Sequence, residues 1–263
     1  MSKVDLLLIM MTIAIVIAIG FASIPVAIGV GFGFLFYLLF YSYRKVRSRL
    51  NIIENKIQND YRQTEALFSI FNTLKIQYPL KDFRSWAISP DFAKLIIEII
   101  LKNKPQVIVE TGSGISTVIS AYALKKNGSG KIISLEHLKN FTEKNSEMIK
   151  LHQLENYSKI IHAPLKEKTI NDEKWLWYDA EINEKIDLLI VDGPPADTQD
   201  KARYPALPMF YPTLGDNAII ILDDTIRQEE QAIVERWKKE YPGTRFEYIE
   251  LEKGAAIITK ESN

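Results

Sequence analysis

Two acids, a glycine turn and a set of aspartates are the residues here whose types and spacing suit chemistry. In Val107-Ile-Val-Glu-Thr-Gly-Ser-Gly-Ile-Ser-Thr117 a strand runs into a turn and a helix begins. Gly112 and Gly114, with Ser113 between them, permit close backbone approach of a ligand, and the new helix offers unpaired N–H groups. A nicotinamide-binding turn wants a third glycine where this chain has Thr117. Glu110 puts negative charge where a pyrophosphate would lie, which disfavours a dinucleotide and suits a ligand with an ammonium group. Ser134-Leu135-Glu136-His137 then ends the next strand in a second acid, 26 residues after Glu110. A carboxylate at that place accepts both hydroxyls of a ribose. Alone, either acid reads as a solvated strand end; together with the turn they describe a nucleoside carrying a cationic amino-acid tail.

Asp192, and the pair Asp223 and Asp224, close two later apolar runs. At neighbouring strand tips three carboxylates repel one another unless a cation or proton intervenes, and such hard oxygen donors suit Mg²⁺, Ca²⁺ or Mn²⁺. The chain has no cysteine, which excludes cysteine nucleophiles, thiolate metal sites and disulfides. Its three histidines, His137, His152 and His162, have no zinc spacing. Lys201, Arg203 and Tyr204 form a basic-aromatic group placed on a helix after Asp192, suited equally to an anionic substrate, packing or solvation. Arg227 either joins them or pairs with Glu229 or Glu230. Trp175, Trp177 and Tyr178 read as loop aromatics covering a core, with a stacking platform as the alternative.

The elements that must position these groups begin beyond Pro79, where short apolar strands alternate with amphipathic helices, the pattern of a parallel sheet covered on both faces. Ser89-Pro90-Asp91 predicts a helix start with a hydroxyl cap, leading into Phe92 to Leu101. Strands are expected at Gln106 to Val109, Lys131 to Leu135, Lys159 to His162, Ile186 to Val191 and Asn217 to Leu222. Arg245 to Leu251 and Ala255 to Thr259, joined by Lys253-Gly254, form a terminal hairpin and bring the sheet to about seven strands.

Carried by Trp86-Ala-Ile-Ser-Pro-Asp91, Glu110-Thr-Gly-Ser-Gly-Ile-Ser-Thr117, Ser134-Leu-Glu-His137, Ala163-Pro-Leu165, Val191-Asp-Gly-Pro-Pro195, Ala202-Arg-Tyr-Pro-Ala-Leu-Pro208 and Leu222-Asp-Asp224, the chain resembles the class I S-adenosylmethionine-dependent methyltransferases. The likeness runs from about Lys81 to Lys260. It implies a doubly wound, mostly parallel seven-stranded Rossmann-like sheet. It also implies that Glu110 addresses the methionine amino group, Gly112 to Gly114 the carboxylate side, Glu136 the ribose, His137 the neighbourhood of the nucleoside, and Ala163 the adenine. Asp192, Asp223 and Asp224 are similar to the metal site of the catechol and caffeoyl-coenzyme A O-methyltransferases, which implies Mg²⁺. Asp224 replaces an asparagine of that pattern, and Gly193-Pro194-Pro195 stands where the catechol enzymes carry a catalytic lysine. Without a metal, Asp192 is the general base for an acceptor hydroxyl and also belongs to the cofactor set. A dehydrogenase or aminopropyl transferase on the same sheet, or a tethered scaffold without catalysis, is the competing expectation.

Ahead of this domain, Leu6 to Tyr43 holds no Asp, Glu, Lys, Arg or His in 38 positions, the composition of a membrane segment. One straight helix of that length would overshoot a hydrocarbon core of ~30 Å. Pro25 marks a break, so Leu6 to Phe21 and Pro25 to Tyr41 are expected to form a transmembrane helical hairpin. Lys3 on one side and Arg44, Lys45, Arg47 and Arg49 on the other place both ends, and the following domain, in the cytoplasm. From Val46, apolar residues at Leu50, Ile53, Ile57, Leu67, Phe71 and Leu74, with Asp60 and Thr64 breaking the seam, predict an amphipathic stalk helix that packs partly on the domain behind it, with a homo-oligomer as the alternative. The expected division is therefore 1–43 hairpin, 44–80 stalk and 81–263 catalytic domain. Lys+Arg and Asp+Glu number 33 each, and residues 1–50 hold five of the basic residues and one of the acids. The rest is slightly acidic, which argues against nucleic acid as partner. The combined expectation is a membrane-anchored enzyme that O-methylates a small-molecule or membrane-associated acceptor, such as a glycan or envelope precursor.

Overall fold

Along the central strands of the computed structural model, consecutive apolar residues face opposite ways, because side chains alternate with a period of two. It describes residues 3–20, 24–80, 83, 84 and 87–261. The strands are β1 (Val107–Thr111), β2 (Lys131–Glu136), β3 (Ser158–His162), β4 (Leu165–Ile170), β5 (Glu173–Tyr178), β6 (Ile186–Val191), β7 (Leu214–Asp223), β8 (Thr244–Ile249) and β9 (Ala255–Lys260). The helices are α1 (Lys3–Gly20), α2 (Ile24–Leu74), α3 (Pro90–Asn103), α4 (Ile115–Asn127), α5 (Lys139–Leu151), α6 (Ala206–Phe210) and α7 (Gln228–Glu240). Ile108, Ile132, Leu188, Ile190 and Ile221 pack with α3, α4 and α5 on one face. Val109, Leu135, Leu189, Val191, Ile220 and Leu222 pack on the other with Trp177, Phe210 and the α7 residues Val234 and Trp237. Each such side chain contributes roughly 1.5–3 kcal/mol on burial, so both faces are closed by the same alternation.

The seven-stranded sheet has the order β3-β2-β1-β6-β7-β9-β8. The pairs from β3 to β7 are parallel, and β9 runs antiparallel to both β7 and β8. The chain moves outward from β1 to β3 and then returns to lay β6 on the other side of β1. The carboxyl ends of β1 and β6 consequently border the crevice of a topological switch point. The expected mostly parallel, seven-stranded Rossmann-like sheet is present, with β7 starting earlier than predicted. Asn217, where the strand was expected to begin, has φ 62°, and the pairing is irregular between Ile186 and Leu188.

A second, two-stranded sheet, β4 with β5, was not expected. Its turn residues Asn171 and Asp172 both have positive φ, 50° and 63°, the geometry of a two-residue hairpin loop. Trp175, Trp177 and Tyr178 are therefore strand residues whose side chains are buried, which agrees with a core role and removes the stacking platform.

The chain divides into two compact units, residues 1–60 and 61–263. In the first, α1 and the start of α2 flank positions 21–23; the expected hairpin bend at Ala22-Ser23 lies outside the described residues. Pro25 sits in the first turn of α2, where its missing N–H costs no helical bond. Helix α2 is long and apolar enough at its start to cross a membrane, and none of that apolar window is buried. It continues to Leu74, so the expected membrane helix and stalk helix are one element. The change of composition at Arg44 is a change of solvent preference, with no Pro or Gly to interrupt the backbone. In the second unit the buried seam of α2 is Gln63, Ala66, Ile70 and Leu74, while Phe71 is exposed. Gln63 Nε2 donates to Asp91 Oδ2 (2.8 Å), and Asp91 N donates to Gln63 Oε1 (3.1 Å). At the start of α3 the Ser89 hydroxyl makes no cap; Asp91 Oδ1 accepts the Phe92 N–H (2.9 Å) and the Ser89 hydroxyl (2.6 Å) instead. Trp86, at the head of the predicted motif, lies outside the described residues.

Candidate active site

The crevice is built by register. Thr111 pairs with Leu135 of β2 and Val191 of β6, and Val191 pairs with Leu222 of β7, so Glu136, the β1 turn, Asp192 and Asp223 stand in a row at one sheet edge. The turn is closed by Gly112 N donating to Leu135 O (2.9 Å), Asp192 N donating to Thr111 O (3.2 Å) and Thr111 Oγ1 donating to Gly193 O (2.9 Å). Gly112 has φ 100°, which a side chain disfavours. Gly114 has extended φ, and a Cβ there would meet open space. At Gly193 a Cβ would collide with the Tyr178 hydroxyl, a contact between β5 and the end of β6.

A cavity of about 520 Å³ opens here, lined among others by Gly112, Ser113, Glu136, His137, Tyr178 and Asp192. Glu136 accepts from Ser113 Oγ (2.8 Å) and from the Leu138 N–H (3.0 Å), and His137 Nδ1 lies 3.2 Å from its Oε1. Burial pushes the Glu136 carboxyl up, but the bonds from His137, Leu138 and Ser113 outweigh it and hold it below its ordinary value. Asn145 of α5 fixes Ser113 in turn, donating to its Oγ at 2.9 Å. The Tyr178 hydroxyl is buried without a hydrogen-bond partner.

Glu110 and Ala163 are fully buried and do not line this cavity. Glu110 Oε2 accepts the hydroxyls of Thr117 (2.5 Å) and Ser134 (2.6 Å), and Thr117 Oγ1 also accepts the Gly114 N–H (3.1 Å). These bonds tie β1, β2 and the start of α4 together around the turn. Burial raises the Glu110 carboxyl to about 7 against the hydroxyls of Ser116, Ser134 and Thr117, with Asp192's charge adding to the rise. Its Oε1 has no partner.

A second cavity, about 530 Å³, is lined by Asp192, Asp197, Arg203, Asp224, Arg227 and Lys253 among others. Asp192, Pro195 and Asp197 belong to both linings, so the two cavities meet at the end of β6. As expected, Asp192, Asp223 and Asp224 converge, with carboxylate oxygens within 4.8 Å of one another. Arg203 was expected on a helix. It lies instead in the turns before α6, because Pro205 and Pro208 leave only a short helix, Ala206–Phe210, and its guanidinium is buried among the carboxylates. Its Nη2 donates to Asp192 Oδ1 (3.1 Å) and Asp224 Oδ2 (2.8 Å), and its Nη1 to Asp223 O (3.0 Å). Arg227 also pairs with Asp224 Oδ2, at 2.7 Å, and with Glu230 at 3.4 Å, the partner foreseen for it. Lys201 does not line this cavity, and Tyr204 is buried in the core, bonded to Glu240 and Asn171. Burial raises Asp192 to about 6 even though Arg203 opposes it, and burial beside Asp192 and Asp224 raises Asp223 well above the carboxylate range. One guanidinium nitrogen of Arg203 thus bonds an oxygen of Asp192 and an oxygen of Asp224.

Residues 109–225 match the methyltransferase domain family. No curated protein matches the chain. Among solved structures, it resembles the O-methyltransferase from Bacillus cereus in complex with SAH, at 13% identity and TM-score 0.53, over 76% of this chain and 90% of that one. The SAH-bound Podospora anserina methyltransferase PaMTH1 gives 16% identity and TM-score 0.52, over 75% and 88%. A Staphylococcus aureus protein described as a putative caffeoyl-CoA O-methyltransferase gives 16% and 0.51, over 79% and 99%. The chain thus shares the fold of these methyltransferase structures.

Proposed function

We propose that the chain is an S-adenosylmethionine-dependent methyltransferase that transfers the methyl group to a hydroxyl oxygen. The observation that carries this reading is the meeting at Asp192 of two cavities, one of them built from the glycine turn after β1 and the acid that ends β2. S-adenosylmethionine occupies the first cavity, with its ribose hydroxyls on Glu136 and its tail at Gly112 and Ser113. Glu110 acts from below, by holding the turn through Thr117 and Ser134. The acceptor enters the second cavity. Its oxygen attacks the methyl carbon in line; the O–CH₃ bond forms as the S–CH₃ bond breaks, the sulfonium becomes a neutral thioether, and Asp192 takes the hydroxyl proton. Holding donor and acceptor in contact supplies most of the rate. Proton removal adds about 10²–10⁴-fold.

The apolar start of α2, with α1 before it, is the proposed membrane anchor, and the basic residues Arg44, Lys45, Arg47 and Arg49 favour a cytoplasmic catalytic domain. That location makes a membrane-associated acceptor, such as a lipid-linked glycan or envelope precursor, the proposed substrate class.

Calorimetric titration of S-adenosylmethionine into the detergent-solubilised full chain tests the reading. One-site binding is expected, weakened about 10- to 100-fold by Glu136→Ala, the loss of charge-assisted hydrogen bonds of ~1.5–3 kcal/mol. No binding at millimolar ligand by a folded chain overturns it and leaves a tethered scaffold.

A further inference from the structure

We propose that Arg203 is the resident cation of the carboxylate cluster at the mouth of the second cavity, standing where a divalent ion would bridge Asp192 and Asp224. The inference rests on the methyltransferase reading only for the role it gives Asp192; the cation's place rests on geometry alone. An ion shared by the two aspartates would lie about 2.0–2.6 Å from an oxygen of each. Arg203 Nη2 already holds the bridging place, at 3.1 Å from Asp192 Oδ1 and 2.8 Å from Asp224 Oδ2. Its Nη1 is anchored on the Asp223 carbonyl (3.0 Å), and its Nε faces Glu230 Oε1 at 3.9 Å. The same Asp224 Oδ2 also pairs with Arg227 at 2.7 Å, and Asp224 Oδ1 faces Lys253 Nζ at 3.9 Å.

Four carboxyls, Asp192, Asp223, Asp224 and Glu230, thus face three basic groups, and a divalent ion would have to enter beside all three. A guanidinium cannot be deprotonated in a protein and cannot be chelated away, so the cluster keeps its cation whatever the metal supply. Arg203 is then a positioning residue. By holding Asp192 Oδ1 it leaves Oδ2 for the junction of the two cavities, the place at which the acceptor proton is received.

Mn²⁺ titrated into the full chain in detergent, followed by the electron paramagnetic resonance signal of free Mn²⁺, reads the site without cofactor or activity. The wild-type chain is expected to take up no saturable Mn²⁺ in the millimolar range. Arg203→Ala is expected to gain one Mn²⁺ per chain, bound at least tenfold more tightly, and to lose it again when Asp224→Asn is added. Arg203→Lys, which returns a cation, is expected to behave as wild type. A saturable single site in the wild-type chain overturns the proposal without reference to any variant, and so does a folded Arg203→Ala chain that takes up no Mn²⁺. Failure of the methyltransferase reading shows separately, as absent S-adenosylmethionine binding in a chain whose Mn²⁺ behaviour is as expected.

Discussion

Glu110 and Asp224 are both buried carboxyls at the same sheet edge, 0% and 4% exposed, and they are held by different chemistry. Glu110 is solvated by hydroxyls from Thr117 and Ser134, and no basic side chain pairs with it among the described residues. Asp224 is held by two guanidinium groups supplied by the chain. Glu110 lies beneath the turn of the first cavity, and the acid that lines that cavity, Glu136, is held by Ser113 and the Leu138 N–H. The second cavity is lined by Arg203, Arg227 and Lys253 beside its carboxylates. The contrast lies in how each buried carboxyl is held: by neutral hydroxyls in one, by guanidinium groups in the other.

The largest effect that sharpens this contrast is expected from Arg203→Met. Removing the shared cation leaves several buried carboxyls unpaired, and such losses cost about 3–5 kcal/mol. Denaturant unfolding near neutral pH checks it, and a loss below about 1 kcal/mol would mean that the cluster is balanced by protons instead.

Next in size is a pH effect on the other side. Glu110 titrates near 4.5 in the unfolded chain and at about 7 when folded, so the folded state holds its proton more tightly. Its contribution to stability is full below 4.5 and falls as pH rises through 7, by roughly 3 kcal/mol over that window. Glu110→Gln is expected to flatten this part of the stability profile, with unfolding followed from pH 4.5 to 8. An unchanged slope would return Glu110 to the chain-paired class.

The smallest effects concern the turn between the two halves. Gly112→Ala is expected to destabilise by ~1 kcal/mol or more because φ is positive there. Gly114→Ala should change thermal stability by less than ~0.5 kcal/mol. Equal losses at the two positions would show that the turn is held by something other than backbone conformation.

Much of this arrangement was legible before the fold. The glycine turn, Glu136, Asp192 and the Asp223-Asp224 pair are each marked by a local event, an apolar run that ends in an acid or a glycine, and the parallel sheet brings those ends together. The β4–β5 hairpin carried a local signal as well, Asn171-Asp172 between alternating residues, but two tryptophans in a polar stretch resembled a loop. Arg203 was read as one of a basic-aromatic trio with Lys201 and Tyr204, suited equally to an anionic substrate, packing or solvation. Its partners lie 11, 21 and 27 residues away, and neither spacing nor charge reveals that a single arginine of the three is buried among acids. The stalk register was likewise read from the apolar spacing of Leu67 and Phe71, whereas the seam that packs runs through Gln63, because Asp91 is placed to receive its amide.

Patterns repeated every two or four residues, strand-ending acids and a long uncharged run are properties of neighbouring residues, and they are enough to specify the sheet, the turn and the apolar helices. Which carboxyl receives a cation, and from where, depends on side chains brought together from β6, β7, α7 and the turns between them. Burial strengthens those pairings only once water is excluded, so the tertiary structure alone decided that Glu110 relies on hydroxyls and Asp224 on Arg203.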